Sequence, residues 1–156
     1  MEKIKWCLEK KGGIRRTEPN DNLFREYIEN SEESLRVLES IRETKSNMWL
    51  ATTKYYIEYF AFYALLMKIG IKCEIHECTI ELARMLERKG IIPENTFKIL
   101  EKDKEIRIDN QYYLKNRPVE IDMDFLRNFV LAMKSSAEKL NREKINEIRK
   151  ELFGIE

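Results

Sequence analysis

Glycine and proline are scarce in this chain, with five and three among 156 residues. That scarcity argues against loop-rich, strand-rich or repetitive scaffolds. With 43% hydrophobic and 37% charged residues, the composition suits a helical globular protein. Long apolar runs are missing as well: the longest, within residues 55–67, is interrupted by Glu58 and is too short to span a bilayer. The opening MEKIKWCLEKK is too charged for a secretory signal. Neither sign of charge prevails, since 29 Lys+Arg against 28 Asp+Glu leave a net charge of +1. Bulk charge therefore gives no push toward nucleic acid or membrane. Three cysteines, an odd number without a regular framework, fit free thiols and a cytoplasmic location. There is no GxGxxG and no P-loop, and KGG at residues 11–13 has no strand beside it to give it weight. The length suits one domain with a core of its own, needing neither disulfide nor metal.

What is present is helical periodicity. Residues 1–20 read as a basic N-terminal arm, with a Gly-Gly break between two basic pairs and Pro19 as a stop; its charges are expected in solvent, with Trp6 pinned on the body. From 21 onward the body is a single domain to residue 156. Asn20 or Asp21 caps a helix with Leu23, Phe24, Tyr27, Ile28, Ser31, Leu35, Leu38 and Ile41 inward. Ser46 or Asn47 caps the next, which Gly70 ends. That second helix carries two apolar seams, one through Tyr55, Tyr59 and Phe62 and the other through Tyr56, Phe60 and Tyr63. Two seams imply burial on both sides, as the centre of a bundle or as a helix that also builds a dimer interface. A third helix runs from about Ile75 to Lys89. Pro93 opens a short fourth element through Leu100, a polar helical stretch covers 103–114, and Pro118 breaks it. Asp122 or Asp124 starts a further long helix, followed by a charged terminal one anchored by Ile145, Ile148 and Leu152. No strand-like alternation is present. The expected fold is all-α: an antiparallel, up-and-down bundle of four to five helices.

The one histidine lies in KCEIHECT, residues 72–79, between Cys73 and Cys78. Zinc needs four ligands in a tetrahedron, and no fourth Cys or His is near. On a helix His76 and Cys78 also diverge by about 200°. No metal site is read here; Cys78 is expected as a small core residue and His76 as a polar group at a helix start.

RIDNQYYL, residues 107–114, is the densest functional vocabulary in the chain. If helical, Arg107, Asn110 and Gln111 share one face, while Asp109, Tyr112 and Tyr113 share the next. A guanidinium with two amides would cradle a phosphate or the edge of a base. The plainer alternative pairs Asp103 with Arg107 and uses the tyrosines to edge the core. Spacing alone leaves both open.

Taken with MWLATTKYYIEYFAFYALLMKIGIKCEIHECTIELARML before it, RIDNQYY resembles the HEPN family of helical domains, in particular the small prokaryotic branch related to the C-terminal domain of the chaperone-like protein sacsin. The resemblance covers roughly residues 20–140. It implies a four- to five-helix bundle that dimerises. It also implies either metal-independent ribonuclease activity, nucleotide binding, or pairing with a minimal nucleotidyltransferase in a toxin–antitoxin module. The family's ribonucleases use an arginine followed four to six residues later by a histidine. Here the arginine is Arg107 and the histidine position falls on Tyr112, with Tyr113 beside it. A phenol with pKa near 10 does not trade protons at neutrality as imidazole does. The expectation is thus a non-catalytic binding module, without cofactor. It would be a homodimer with Arg107, Asp109, Asn110, Gln111, Tyr112 and Tyr113 as ligand-binding residues for a nucleotide, RNA or a partner nucleotidyltransferase. The alternative is a ribonuclease using Arg107 and Tyr112.

Overall fold

The computed structural model describes residues 2–154. Among them are seven α-helices: α1 (Glu2–Glu9), α2 (Asp21–Ile41), α3 (Asn47–Ile69), α4 (His76–Arg88), α5 (Thr96–Gln111), α6 (Met123–Glu138) and α7 (Arg142–Phe153). The all-α expectation holds apart from one two-residue antiparallel pairing, β1 (Arg15–Arg16) with β2 (Ile71–Lys72). No described helix is long and apolar enough to cross a membrane.

α3 is the axis of the bundle, packed by α2, α5, α6 and α7. The first seam is buried within one chain at Tyr55, Tyr59 and Phe62; of the second, Tyr63 is buried while Tyr56 and Phe60 are half-buried. α3 is thus the central helix of the bundle. Cross-links set the directions. Lys68 reaches Asp21 at 2.7 Å and the Ser31 hydroxyl donates to the Ile57 carbonyl at 2.6 Å, so α2 and α3 run antiparallel. Lys54–Asp103 and Asn110–Asn47 do the same for α3 and α5.

Helix ends follow local chemistry. Asn20, Ser46, Asp122 and Asn141 cap α2, α3, α6 and α7 by accepting the N–H three residues on. Gly70 ends α3 at φ 85°, where its N–H returns to Leu66 and Met67, and any Cβ there would overlap the Arg149 guanidinium. Two expectations need correcting. Residues 96–111 form one continuous helix rather than two elements, and it starts after Pro93, not on it. Glu87 of α4 caps it from outside, accepting from Asn95 N at 2.8 Å and Phe97 N at 3.2 Å.

Residues 2–20 of the stretch expected as a solvated arm carry α1 and β1 and lie against the body. Cys7 and Ile14 are buried, while Trp6 is 41% exposed. Cys7 forms a disulfide with Cys78 on the first turn of α4, which corrects the reading of three free thiols; only Cys73 is free, and it is buried. The compartment argument built on free thiols loses its premise. Lys3–Glu77 at 2.7 Å reinforces the same attachment.

Two outcomes follow from this packing. Replacing Cys7 and Cys78 together by serine should lower unfolding free energy by about 2–4 kcal/mol. Urea denaturation without reductant measures it, and equal midpoints for both proteins would show that the bridge constrains nothing. Phe62→Glu should abolish the fold rather than split an assembly, because Phe62 has no exposed surface. A soluble, fully helical Phe62→Glu monomer by circular dichroism would contradict this placement.

Candidate functional site

α5 and α3 meet through a polar seam, and the side chains that α5 buries are mostly charged or polar: Asp103, Arg107, Asp109 and Asn110. Arg107, one turn from the end of α5, is 8% exposed. Its guanidinium carbon stands 4.8 Å from the Tyr55 ring centroid and 5.5 Å from that of Tyr56, and Nη1 donates to the Tyr56 hydroxyl at 3.2 Å. Buried Nε has no hydrogen-bond partner, and no carboxylate lies within ion-pair distance among the described residues. Asp103, the expected partner, faces Lys54 at 3.5 Å instead.

The tyrosines lead from Arg107 to the only histidine. Nδ1 of His76 lies 2.8 Å from the Tyr55 hydroxyl, and its ring stacks on Tyr59 at 4.3 Å and 11°. Tyr56 meets the same imidazole edge-on. Burial, then the nearby Arg107 and Lys104 charges, push the His76 pKa down to about 4, so it is neutral at physiological pH. Burial likewise raises Tyr55 and Tyr59, which keep their protons.

One turn along α3, Glu58 is fully buried with neither carboxyl oxygen hydrogen-bonded. Burial, then the neighbouring Asp103, raise its pKa well above the usual carboxylate range, against the pull of Lys54. Both effects push it toward the neutral acid.

The remaining residues of the RIDNQYYL segment do not converge on Arg107. Asn110 is buried, but its carboxamide clamps the following loop: it accepts from Arg117 N at 2.6 Å and donates to the Arg117 carbonyl at 2.9 Å. Asp109 holds the same loop through Arg117 at 2.7 Å and Lys115 at 3.1 Å, and those two cations lower its pKa. Gln111 is exposed. Tyr112, Tyr113 and Leu114 are exposed too, at 64%, 67% and 76%. The helix ends at Gln111, so the tyrosines sit on a loop rather than on a second helical face. Arg107 is thus separated from its sequence neighbours and joined to Tyr55, Tyr56 and His76.

No protein-family model and no curated protein matches the chain. The site therefore has to be read from its chemistry. Chemically it offers one rigid guanidinium, a neutral imidazole and a ring of phenols, which is a donor set for an anion with an aromatic or apolar part. Cys78 is spent in the disulfide, and no group of three or more potential metal ligands occurs among the described residues.

The pH behaviour has a fixed sign. His76 has a folded pKa below its unfolded value, so the stability it contributes is complete above about 6.5 and is lost as pH falls toward about 4. Glu58 has the opposite shift: its folded pKa is raised, so its cost grows as pH rises above the usual 4.5. Glu58→Gln, which mimics the protonated acid, should raise the melting temperature, and by more at pH 8 than at pH 5. A pH-independent difference would mean that Glu58 titrates normally in the fold.

Proposed function

We propose that this chain is a non-catalytic binding module of the HEPN type that holds a nucleotide or an RNA phosphate against Arg107. The observation that carries the reading is the Arg107 guanidinium itself. It is nine-tenths buried, faces no carboxylate and leaves Nε unpaired. A buried charge without a counter-charge is costly, and cation–π contact offsets only part of that cost. An anionic ligand would supply the missing partner. Tyr56 and His76, both half-buried beside it, would contact the rest of the ligand. The all-helical bundle and an arginine near the end of a helix are consistent with the family resemblance.

The family's toxin–antitoxin setting would add a second copy or a minimal nucleotidyltransferase as partner. The loop after α5 supports such a role. Asp109 and Asn110 fasten it, Leu114 and Asn116 adopt left-handed backbone, and Tyr112, Tyr113 and Leu114 project into solvent. Asn47 ties the start of α3, with exposed Trp49, to this loop. Under this reading the two tyrosines serve partner contact, not the phosphate.

Ribonuclease activity is the second reading, and one observation favours it: His76 lies beside Arg107 through shared tyrosines, supplying an imidazole that the Arg-to-Tyr112 spacing lacks. Unprotonated at pH 7 but with its pKa pushed down to about 4, His76 would act there only as a weak general base. Metal-free cleavage of RNA lost in both Arg107→Met and His76→Phe would establish it.

Titration of ATP, GTP and short RNA against the wild type and Arg107→Met tests the binding reading. Loss of a charge-assisted hydrogen bond of about 1.5–3 kcal/mol should weaken binding roughly tenfold to a hundredfold. Ligand-free melting of Arg107→Met should be unchanged or raised, because an uncompensated buried charge has been removed. A sharp fall in melting with binding intact would make Arg107 a structural residue. For the assembly, light scattering at tens of micromolar should show dimers that Leu114→Asp dissociates without loss of helix. Wild-type monomers at that concentration would refute the dimer.

A further inference from the structure

Arg149 of α7 is the second nine-tenths-buried arginine, and its setting differs from that of Arg107. Nη1 is fixed by three carbonyls, those of Thr17 and Gly70 at 2.7 Å and of Ile69 at 3.1 Å, so the guanidinium closes the C-terminal end of α3. Nε and Nη2 still carry three N–H donors. They have no hydrogen-bond partner and no carboxylate in ion-pair range among the described residues. Arg149 also lines a cavity of about 440 Å³ between the β1–α2 corner, the end of α3 and the start of α7.

The cavity gathers cations. Arg142 and Arg149 line it together with Arg16 and with Lys68, which is bound to Asp21 at 2.7 Å; Glu18 is the other acid among its lining residues. Arg142 is the first residue of α7, a twelve-residue helix whose positive N-terminal end faces the same space through Arg142, Ile145 and Asn146. Burial, and then the Arg16 charge, lower the Arg149 pKa, so two like charges are held near one another here. Lys68 lies twelve residues along α3 from Tyr56, about 18 Å at 1.5 Å per residue, so this is not the Arg107 site.

We propose that this cavity is an anion site for a small phosphate-bearing ligand, with Arg149 as its fixed fork and Arg142 as the cation that closes over the bound group. A guanidinium immobilised on one edge presents the other edge in a constant orientation, and phosphate matches that two-pronged geometry. Size and shape favour a small ligand over nucleic acid. The volume lies within the range of small-molecule sites, and the cations converge on one concavity rather than along a track.

Arg149 also secures α3, so Arg142→Gln is the primary variant. Inorganic pyrophosphate would be titrated by calorimetry into the full chain, Arg142→Gln and Arg107→Met, with melting curves for each. Wild type should bind and gain melting temperature. Arg142→Gln should bind at least tenfold more weakly with ligand-free melting unchanged, and the Arg142-dependent binding should persist in Arg107→Met. That persistence separates this site from the one around Arg107. No binding by wild type up to about 10 mM, beyond any functional affinity, would overturn the proposal. So would binding that Arg142→Gln leaves intact. If an RNA oligonucleotide depends on Arg142 while pyrophosphate does not bind, the cavity belongs to a nucleic-acid surface and the small-ligand assignment fails.

Discussion

Packing α3 at the centre of the bundle removes water from the polar groups on its buried faces, and the rest of the molecule is arranged around that constraint. Ala, Leu and Phe on this helix need only volume. Tyr55, Tyr59, Tyr63 and Glu58 need either a partner or a neutral state. Tyr63 accepts the Cys73 N–H at 3.0 Å and Tyr55 reaches His76, so the turn after α3 and the start of α4 are positioned by phenols. The Ser31 hydroxyl donates to a carbonyl within α3 and locks α2 against it. Glu58 has no such partner and persists by holding its proton. α4 is then fixed twice: through its histidine to α3, and through Cys78 to α1. Because His76 and Cys78 lie two residues apart, the disulfide anchors the same turn that supplies the imidazole.

The two buried arginines show how differently a guanidinium can be accommodated. Arg149 faces the carbonyls of Ile69 and Gly70 at the end of α3 and that of Thr17 after β1, where three acceptors meet one nitrogen; the dipoles of a helix C-terminus favour a cation. Arg107 faces only ring quadrupoles and one hydroxyl, a weaker environment for a full charge. One arginine therefore holds the fold together with its inner edge, whereas the other is placed where the fold alone does not satisfy it. Buried position is common to both; what surrounds the charge decides which of them contributes to stability.

Much of the architecture was legible in residue patterns because it rests on apolar spacing and caps. The cap pairs Asn20 or Asp21, Ser46 or Asn47 and Asp122 or Asp124 each resolved to the first member, the one whose side chain can reach the N–H three positions on. The central place of α3 was legible for the same reason, from the seam through Tyr55, Tyr59 and Phe62. The continuity of α5 was not, since beside Leu100 and Ile106 it buries Asp103, Arg107, Asp109 and Asn110, and apolar periodicity cannot register buried polar groups. The disulfide spans 71 residues and involves no motif. His76 was set aside by testing it against neighbours on its own helix; its actual partners stand some twenty residues earlier on α3. Two signals pointed that way: Tyr55 next to Tyr56, and a glutamate in the middle of the most apolar run.

The charge state of the seam ties these groups together. Lys54 and Asp103 cancel one another. Burial pushes Glu58 toward the neutral acid, His76 is a neutral base, and the phenols keep their protons. Arg107 is then a buried charge without a carboxylate partner among the described residues. The carboxyl of Glu58, pushed toward its neutral form, adds no counter-charge to the seam, so the raised acid and the arginine without a carboxylate partner belong to one arrangement. Asp103 is the hinge of it: placed one helical turn before Arg107, it is committed to Lys54 and simultaneously holds the proton on Glu58. An anion reaching Arg107 meets an attraction that no residue of the seam has neutralised.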